Sequence, residues 1–359
     1  MSGRTFEMKF KFRKLLINIS IIFASMLLTY LALEVIIRIA KEKLFDIENQ
    51  VVRKSNFLTG THPIQFDSYL GWIPKPGASA GSELWLGKKV SILNNGCRSN
   101  GHEDRIRKAP FILAMGDSFT FGEEVSDNET WPAHFEQLSN VSVLNGGVFG
   151  YGLDQILLRT KMLVDKFSPD ILIVCFIYDD ILRCEFSTRG YAAKPYFDLE
   201  NGELVLYNRH VTPLRNKKIE YSWFQKVFGY SYLMHSIMIR LNGYFWLSQH
   251  GSNKQVHIRG FLIGRALLEE LSSFSRSRNL KTLVVLHDEG AYQEDFERLL
   301  SGLDLRGLEI LNLIPLYKEV YSRDKSAINR FKNKLHPSSL GNLFVAQAIY
   351  NKLKEPHFL

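Results

Sequence analysis

The sequence predicts an α/β protein: a parallel sheet with helices on both faces, preceded by one membrane-spanning helix. Three observations predict it. Short apolar runs recur at 111–115, 141–144, 170–177, 281–287 and 308–313, each the length of a buried strand. Helix-like windows lie at about 129–138, 152–167, 258–278 and 291–301, with a closing one at about 338–354. Such alternation argues for parallel strands joined by right-handed crossovers, and roughly 250 residues are ample for one core of this kind. The third observation is a run of 23 mostly apolar residues, Leu15 to Ile37, ahead of the alternating pattern.

The elements follow in order. Residues 1–14 form a basic tail, with Arg4, Lys9, Lys11, Arg13 and Lys14 against Glu7 alone, a local charge of +4. That is half of the chain's net +8, so the remainder is mildly basic and needs no nucleic-acid partner. Residues 15–39 read as a transmembrane signal anchor, since 23 residues at about 1.5 Å each span roughly 34 Å. The positive-inside rule puts the tail in the cytoplasm and the chain beyond residue 40 across the membrane. Glu34 and Arg38, four apart, are spaced to pair at the outer boundary. A cleaved signal peptide is the rival reading. The run exceeds a usual signal-peptide core and no small-x-small site follows it, which favours an uncleaved anchor.

Residues 40–109 form a lead-in rich in Gly, Pro and aromatics, punctuated by Gly71-Trp72-Ile73-Pro74-Lys75-Pro76-Gly77. Short strands and turns are expected there, as a spacer, a lid or a flap over the sheet. Residues 110–355 form the main domain, interrupted at about 183–256 by an insertion dense in aromatics, among them Tyr191, Tyr196, Tyr221, Trp223, Tyr230 and Trp246. Aromatic faces there suit sugar rings, acyl chains, a membrane surface or an ordinary packed cap. Cys97, Cys175 and Cys184 cannot all pair internally, a Cys175–Cys184 disulfide stays open, and no spacing suggests zinc.

Chemistry concentrates at the ends of the apolar runs. Gly116-Asp117-Ser118-Phe119-Thr120-Phe121-Gly122 follows the first strand, which places the Ser118 hydroxyl at the carboxyl edge of the sheet, where ligands collect. Asn145-Gly146-Gly147-Val148-Phe149-Gly150-Tyr151-Gly152 follows the second. No Gly-Lys-Ser/Thr accompanies it and no acidic residue is placed to hold a ribose, so nucleotide binding is disfavoured. The third ends in Tyr178-Asp179-Asp180 and the fourth in His287-Asp288-Glu289. Near the carboxyl terminus stands Asn333-Lys334-Leu335-His336-Pro337-Ser338-Ser339-Leu340-Gly341.

The His287 string aside, these resemble blocks I, II and V of the SGNH/GDSL hydrolases, with a degraded block III at Tyr178-Asp179-Asp180, over roughly residues 60–355. The lead-in resembles that of membrane-anchored bacterial members. The resemblance implies a flavodoxin-like three-layer α/β/α fold and ester chemistry through a seryl-acyl intermediate. It makes Ser118 the nucleophile, His336 the general base, and the Ser118 and Gly147 amides the oxyanion donors. Two departures stand out. Asn333 occupies the place of the Asp that usually orients the histidine; a Ser–His dyad supported by a backbone carbonyl would tolerate this. Asp179 occupies the place of the oxyanion-hole Asn. It can donate only if protonated; a slip of one residue puts Tyr178 there instead. Asp179 orienting His336 from the opposite side is a further expectation.

The implied protein sits in a bacterial cytoplasmic membrane by a single pass, with its catalytic domain on the periplasmic or extracellular side. Its expected substrates are acetyl or acyl esters on cell-envelope or exported polysaccharide, or on lipid. Three classes stay open: an esterase, an O-acyltransferase supplied by a membrane acyl-donor protein, and a catalytically silent carbohydrate-binding protein. No metal or organic cofactor is implied.

Overall fold

The computed structural model describes residues 2–41, 63–80, 87–102, 110–189, 192–212, 222–247 and 256–355. The chain gathers into two compact units. One joins residues 1–54 to 219–252; the other joins 55–218 to 253–359.

The first helix, α1 (Ser2–Lys41), contains a 30-residue stretch, Lys11–Ala40, whose most apolar 18 residues have mean hydropathy 2.1 and are almost wholly unburied. It is long and apolar enough to cross a membrane. Glu34 and Arg38 pair at 2.8 Å on its last turns.

Within the lead-in, β1 (Ile64–Asp67) and β2 (Gly71–Pro74) form an antiparallel hairpin, and the short strands Ser79–Ala80 and Val90–Ser91 pair beyond it. The sheet domain then opens with β3 (Phe111–Gly116) and the one-turn helix α2 (Ser118–Phe121). After these come α3 (Trp131–Ser139), β4 (Ser142–Asn145), α4 (Leu153–Phe167), β5 (Ile171–Phe176) and α5 (Tyr178–Leu182).

The insertion contains a hairpin, β6 (Tyr196–Glu200) with β7 (Glu203–Tyr207), turned by Asn201-Gly202, both at positive φ. Two helices follow, α6 (Trp223–Phe228) and α7 (Tyr232–Leu247), which belong to the unit of α1. Tyr191 and Tyr221 lie outside the described residues. The domain closes with α8 (Val256–Ser277), β8 (Lys281–Leu286), α9 (Gln293–Leu300), β9 (Leu308–Asn312), α10 (Ile314–Arg323) and α11 (Ser339–Leu353).

The five long strands form one parallel sheet in the order β9-β8-β5-β3-β4. This is the flavodoxin-like order, in which the chain reverses direction across the sheet between β3 and β5. Alternate residues of each strand enter opposite apolar clusters. Leu113, Met115, Leu172, Val174, Val284 and Leu286 meet α4 and α8; Ile112, Ala114, Ile173, Leu283 and Val285 meet α3, α10 and α11. The result is three layers. Strands buried on both faces need continuous apolar sequence, which is why periodicity located them to within two residues.

Candidate active site

Ser118 is the first residue of α2, at the carboxyl end of β3 beside the β3/β5 switch point. Asp117 caps the helix, its Oδ1 accepting from the Phe119 N–H at 2.9 Å. A Cβ on Gly116 would lie 2.3 Å from the Cys175 carbonyl oxygen, so only glycine lets β3 pass into the turn this close to β5. Ser118 is buried to 4% exposure, and its Oγ lies 3.0 Å from His336 Nε2 and 3.2 Å from Asp117 Oδ2.

His336 arrives from the far end of the chain, two residues before Ser338 caps α11. Its loop is fixed by Glu124. One carboxylate oxygen, Oε2, accepts the backbone N–H groups of Lys334, Leu335 and His336 at 3.0–3.3 Å. The other, Oε1, lies 3.6 Å from His336 Nδ1, a buried nitrogen with no hydrogen-bond partner among the described residues. Glu124 holds this pose at φ 68°, a conformation uncommon outside glycine. Asn333 does not orient the ring. Its Nδ2 donates to the Glu124 carbonyl at 3.0 Å and its N–H to the His336 carbonyl at 2.9 Å, so it ties the same loop instead.

A second carboxylate meets the other ring nitrogen: Glu123 Oε2 lies 3.1 Å from His336 Nε2. Burial alone would lower the His336 pKa. The Glu123 carboxylate, with Asp117 and Glu124 behind it, outweighs that and leaves the pKa raised.

Gly147 lies against α2. A Cβ there would fall 2.4 Å from the Phe121 backbone nitrogen, so the missing side chain serves backbone approach. Its N–H donates to Asn145 Oδ1 at 3.1 Å, while Asn145 Nδ2 donates to the Thr120 carbonyl at 2.9 Å. The lead-in turn reaches the same place. Buried Arg98 donates to the carbonyls of Phe121, Gly122 and Val125 and pairs with Asp127 at 3.3 Å, clamping the loop that carries Glu123 and Glu124. Burial brings its guanidinium down to about 10, which leaves it charged at neutral pH.

The third block departs from the expected hole. Asp179 pairs with Arg183 at 2.5 Å and with Arg189 at 3.5 Å, and a carboxylate between two guanidinium groups accepts hydrogen bonds. Tyr178 stacks on Tyr292, with ring centroids 4.8 Å apart, and packs edge-on against Phe296. The donors this leaves for an oxyanion are backbone amides. Asp180 is fully buried; it accepts from the Ile177 N–H and from Arg183, which also reaches Asp117 at 3.4 Å. Burial, followed by the charge of Asp117, pushes the Asp180 carboxyl well above its ordinary range.

The other strand end is ordinary structure. His287 is buried between Cys175 and the Tyr317 hydroxyl, and burial takes its pKa down to about 3. Asp288 caps the following turn and Glu289 pairs with Lys332 at 2.7 Å. Cys97, Cys175 and Cys184 are all buried, and Cys175 and Cys184 are not joined by a disulfide.

Sequence reading missed Glu123, Glu124 and Arg183. The first two stand five and six residues after Ser118, where a Gly122 turn signals only a change of direction. Arg183 stands one helical turn after Asp179, a spacing that invites an ion pair.

No protein-family model and no curated protein matches the chain. Solved structures similar to it include a G-D-S-L family protein from Desulfitobacterium hafniense DCB-2, at 14% identity over 67% of this chain and 98% of that one, with a TM-score of 0.28. The chain resembles GDSL-type hydrolases of known structure. Another is the acetylxylan esterase Axe2 from Geobacillus stearothermophilus, at 13% identity over 71% of this chain and 99% of that one (TM-score 0.39). A third is the psychrotrophic esterase EstA from Pseudoalteromonas sp., at 13% identity over 68% and 97% (TM-score 0.32).

Proposed function

We propose that the chain is a serine hydrolase of the SGNH/GDSL type that cleaves carboxylic esters. The observation that carries this reading is the 3.0 Å approach of Ser118 Oγ to His336 Nε2, with the Glu124 carboxylate behind the ring. Ser118 Oγ attacks the ester carbonyl carbon and its proton passes to His336 Nε2. The Ser118 and Gly147 amides stabilise the oxyanion, Gly147 by sharing the N–H it gives Asn145. The alcohol leaves with the proton from His336, and water, deprotonated by the same nitrogen, then releases the acid from the acyl-serine.

Glu124 replaces the acid missing at Asn333. It positions the loop through three amides and favours the imidazolium by charge. The apolar helix α1 supports an uncleaved single-pass anchor in a bacterial cytoplasmic membrane, with the sheet domain outside. That location favours acetyl or acyl esters of envelope or exported polysaccharide as substrate.

The test is a fluorophosphonate label and p-nitrophenyl acetate turnover on the full chain, with Ser118→Ala and His336→Ala as controls. Labelling and turnover that vanish in both variants are expected. A folded chain that takes no label overturns the reading in favour of a binding role. Labelling without turnover, together with acylation of an added oligosaccharide, would replace hydrolysis by transfer.

A further inference from the structure

Helices α6 and α7 bury some aromatics but also carry apolar residues on the outside. Soluble helices bury the apolar stripe and expose the polar one. Here Trp223, Lys226, Val227 and Tyr230, spaced three and four apart along α6 and the turn after it, are exposed, with Trp223 at 73%. On α7 the exposed residues include Ile237, Arg240 and Leu241, again at helical spacing, with Leu241 at 77%. Between the pair, Gln225 donates to the Trp246 carbonyl and the Phe224 ring meets the buried Trp246 indole edge-on, while within α7 the indole donates to His235. Residues 222–247 contain Lys226 and Arg240 and no acidic residue.

The pair is fastened to α1 within the same unit. Glu34 accepts from the Ser231 hydroxyl at 2.8 Å and from the N–H groups of Tyr232 and Leu233 at 3.0 Å. Tyr30 donates to Ser231 Oγ at 2.5 Å, and Arg38 donates to the Tyr230 carbonyl. Glu34 stands three residues inside the end of the apolar run at Ile37, or about 4.5 Å along the helix axis. The fastening is therefore level with the headgroup boundary, the depth at which Trp, Tyr, Lys and Arg are favoured.

We infer that the outer faces of α6 and α7 rest on an anionic lipid surface, with Trp223, Val227, Tyr230, Ile237 and Leu241 in the interface and Lys226 and Arg240 at the headgroups. This rests on reading α1 as a membrane anchor. The bonds from Tyr30, Glu34 and Arg38 hold the two stripes beside the outer end of the apolar run of α1, and their charge complements acidic headgroups.

The native thiols are buried, so single cysteines can be labelled selectively. Val227→Cys and Leu241→Cys, carrying a bimane, are placed in the full chain in phosphatidylglycerol-containing nanodiscs. Arg306→Cys is the exposed reference and Leu27→Cys reports on the anchor. Loss of most of the 227 and 241 emission to nitroxide lipid, with little loss to aqueous iodide, is expected. Iodide quenching without lipid quenching at both sites overturns the inference, even if Leu27 reports insertion. Leu27 failing while 227 and 241 are lipid-quenched overturns the anchor alone. Lys226→Glu with Arg240→Glu should weaken the lipid quenching in anionic but not in neutral nanodiscs; equal quenching in both overturns the anionic assignment.

Discussion

Two adjacent carboxylates face the two nitrogens of one imidazole, and each makes a different prediction. Glu124→Gln keeps an oxygen for the three loop amides but removes the charge behind Nδ1. A fall in kcat of roughly 10²–10⁴-fold with little change in KM is expected, by analogy with loss of the acid in serine-protease triads. Steady-state kinetics beside a thermal melt decide it: a lower melting temperature that accounts for the loss would reduce Glu124 to a loop tether. Glu123 acts on Nε2, the nitrogen that must be free to take the Ser118 proton. Its hydrogen bond, and then its charge, do the most to raise the His336 pKa against burial. A base with a raised pKa becomes neutral only at higher pH, so the acidic limb of kcat/KM lies above the ordinary histidine range. Glu123→Gln lowers that pKa and moves the limb toward lower pH, so activity at mildly acidic pH rises relative to the plateau. An unmoved limb would show that Glu123 does not hold the His336 proton in solution.

At the scale of elements, the lead-in is a buttress for the nucleophile loop. Trp72 donates to the Phe149 carbonyl, Tyr151 to the Trp72 carbonyl, and Arg159 to the carbonyls of Gly96 and Gly146, so hairpin, turn and Gly-rich loop interlock. Arg98→Met would leave Asp127 and three loop carbonyls without their cation. Removing one partner of a buried pair costs about 3–5 kcal/mol, and a calorimetric melt together with the rate of fluorophosphonate labelling measures it. Labelling that stays at the wild-type rate would show that the clamp does not set the loop. Gly147→Ala would force a Cβ into the Phe121 amide; overpacking of this kind costs about 1–3 kcal/mol and should slow labelling before it unfolds the domain. The five strands and their covering helices were legible because burial on both faces imposes continuous apolar runs. Ser118 and His336 were legible because each follows a strand or precedes a helix in a recognisable string. Glu124 was not: its role depends on a positive φ and on a loop 210 residues away in sequence, and no local pattern encodes either. The β6–β7 hairpin carried its signal openly, since Asn201-Gly202 is a two-residue turn sequence, but the surrounding aromatics masked the alternation. Helix α10 was passed over because Pro315, which reads as a breaker, sits in its first turn, where proline is tolerated.

Over the whole molecule, the structure bears on whether the chain keeps its first helix. A signal peptide is discarded, so the mature protein gains nothing by building on it. Here the Glu34 carboxylate satisfies the Ser231 hydroxyl and two amides at the start of α7, and Arg38 reaches the Tyr230 carbonyl. Cleavage beyond residue 40 would strip those partners from a helix held at an apolar boundary, and each lost bond to a charged acceptor is worth about 1.5–3 kcal/mol. These bonds support the uncleaved anchor proposed above. The protein isolated from membranes should still contain the segment Leu15–Ile37 in its peptide map and resist extraction by alkaline carbonate. Glu34→Ala should leave it in the membrane, since it only makes the run more apolar, while hydrogen exchange at the Tyr232 and Leu233 amides becomes faster. A mature chain that begins after residue 37 would mean that α7 finds its cap elsewhere and that the protein leaves the membrane with its sheet domain free.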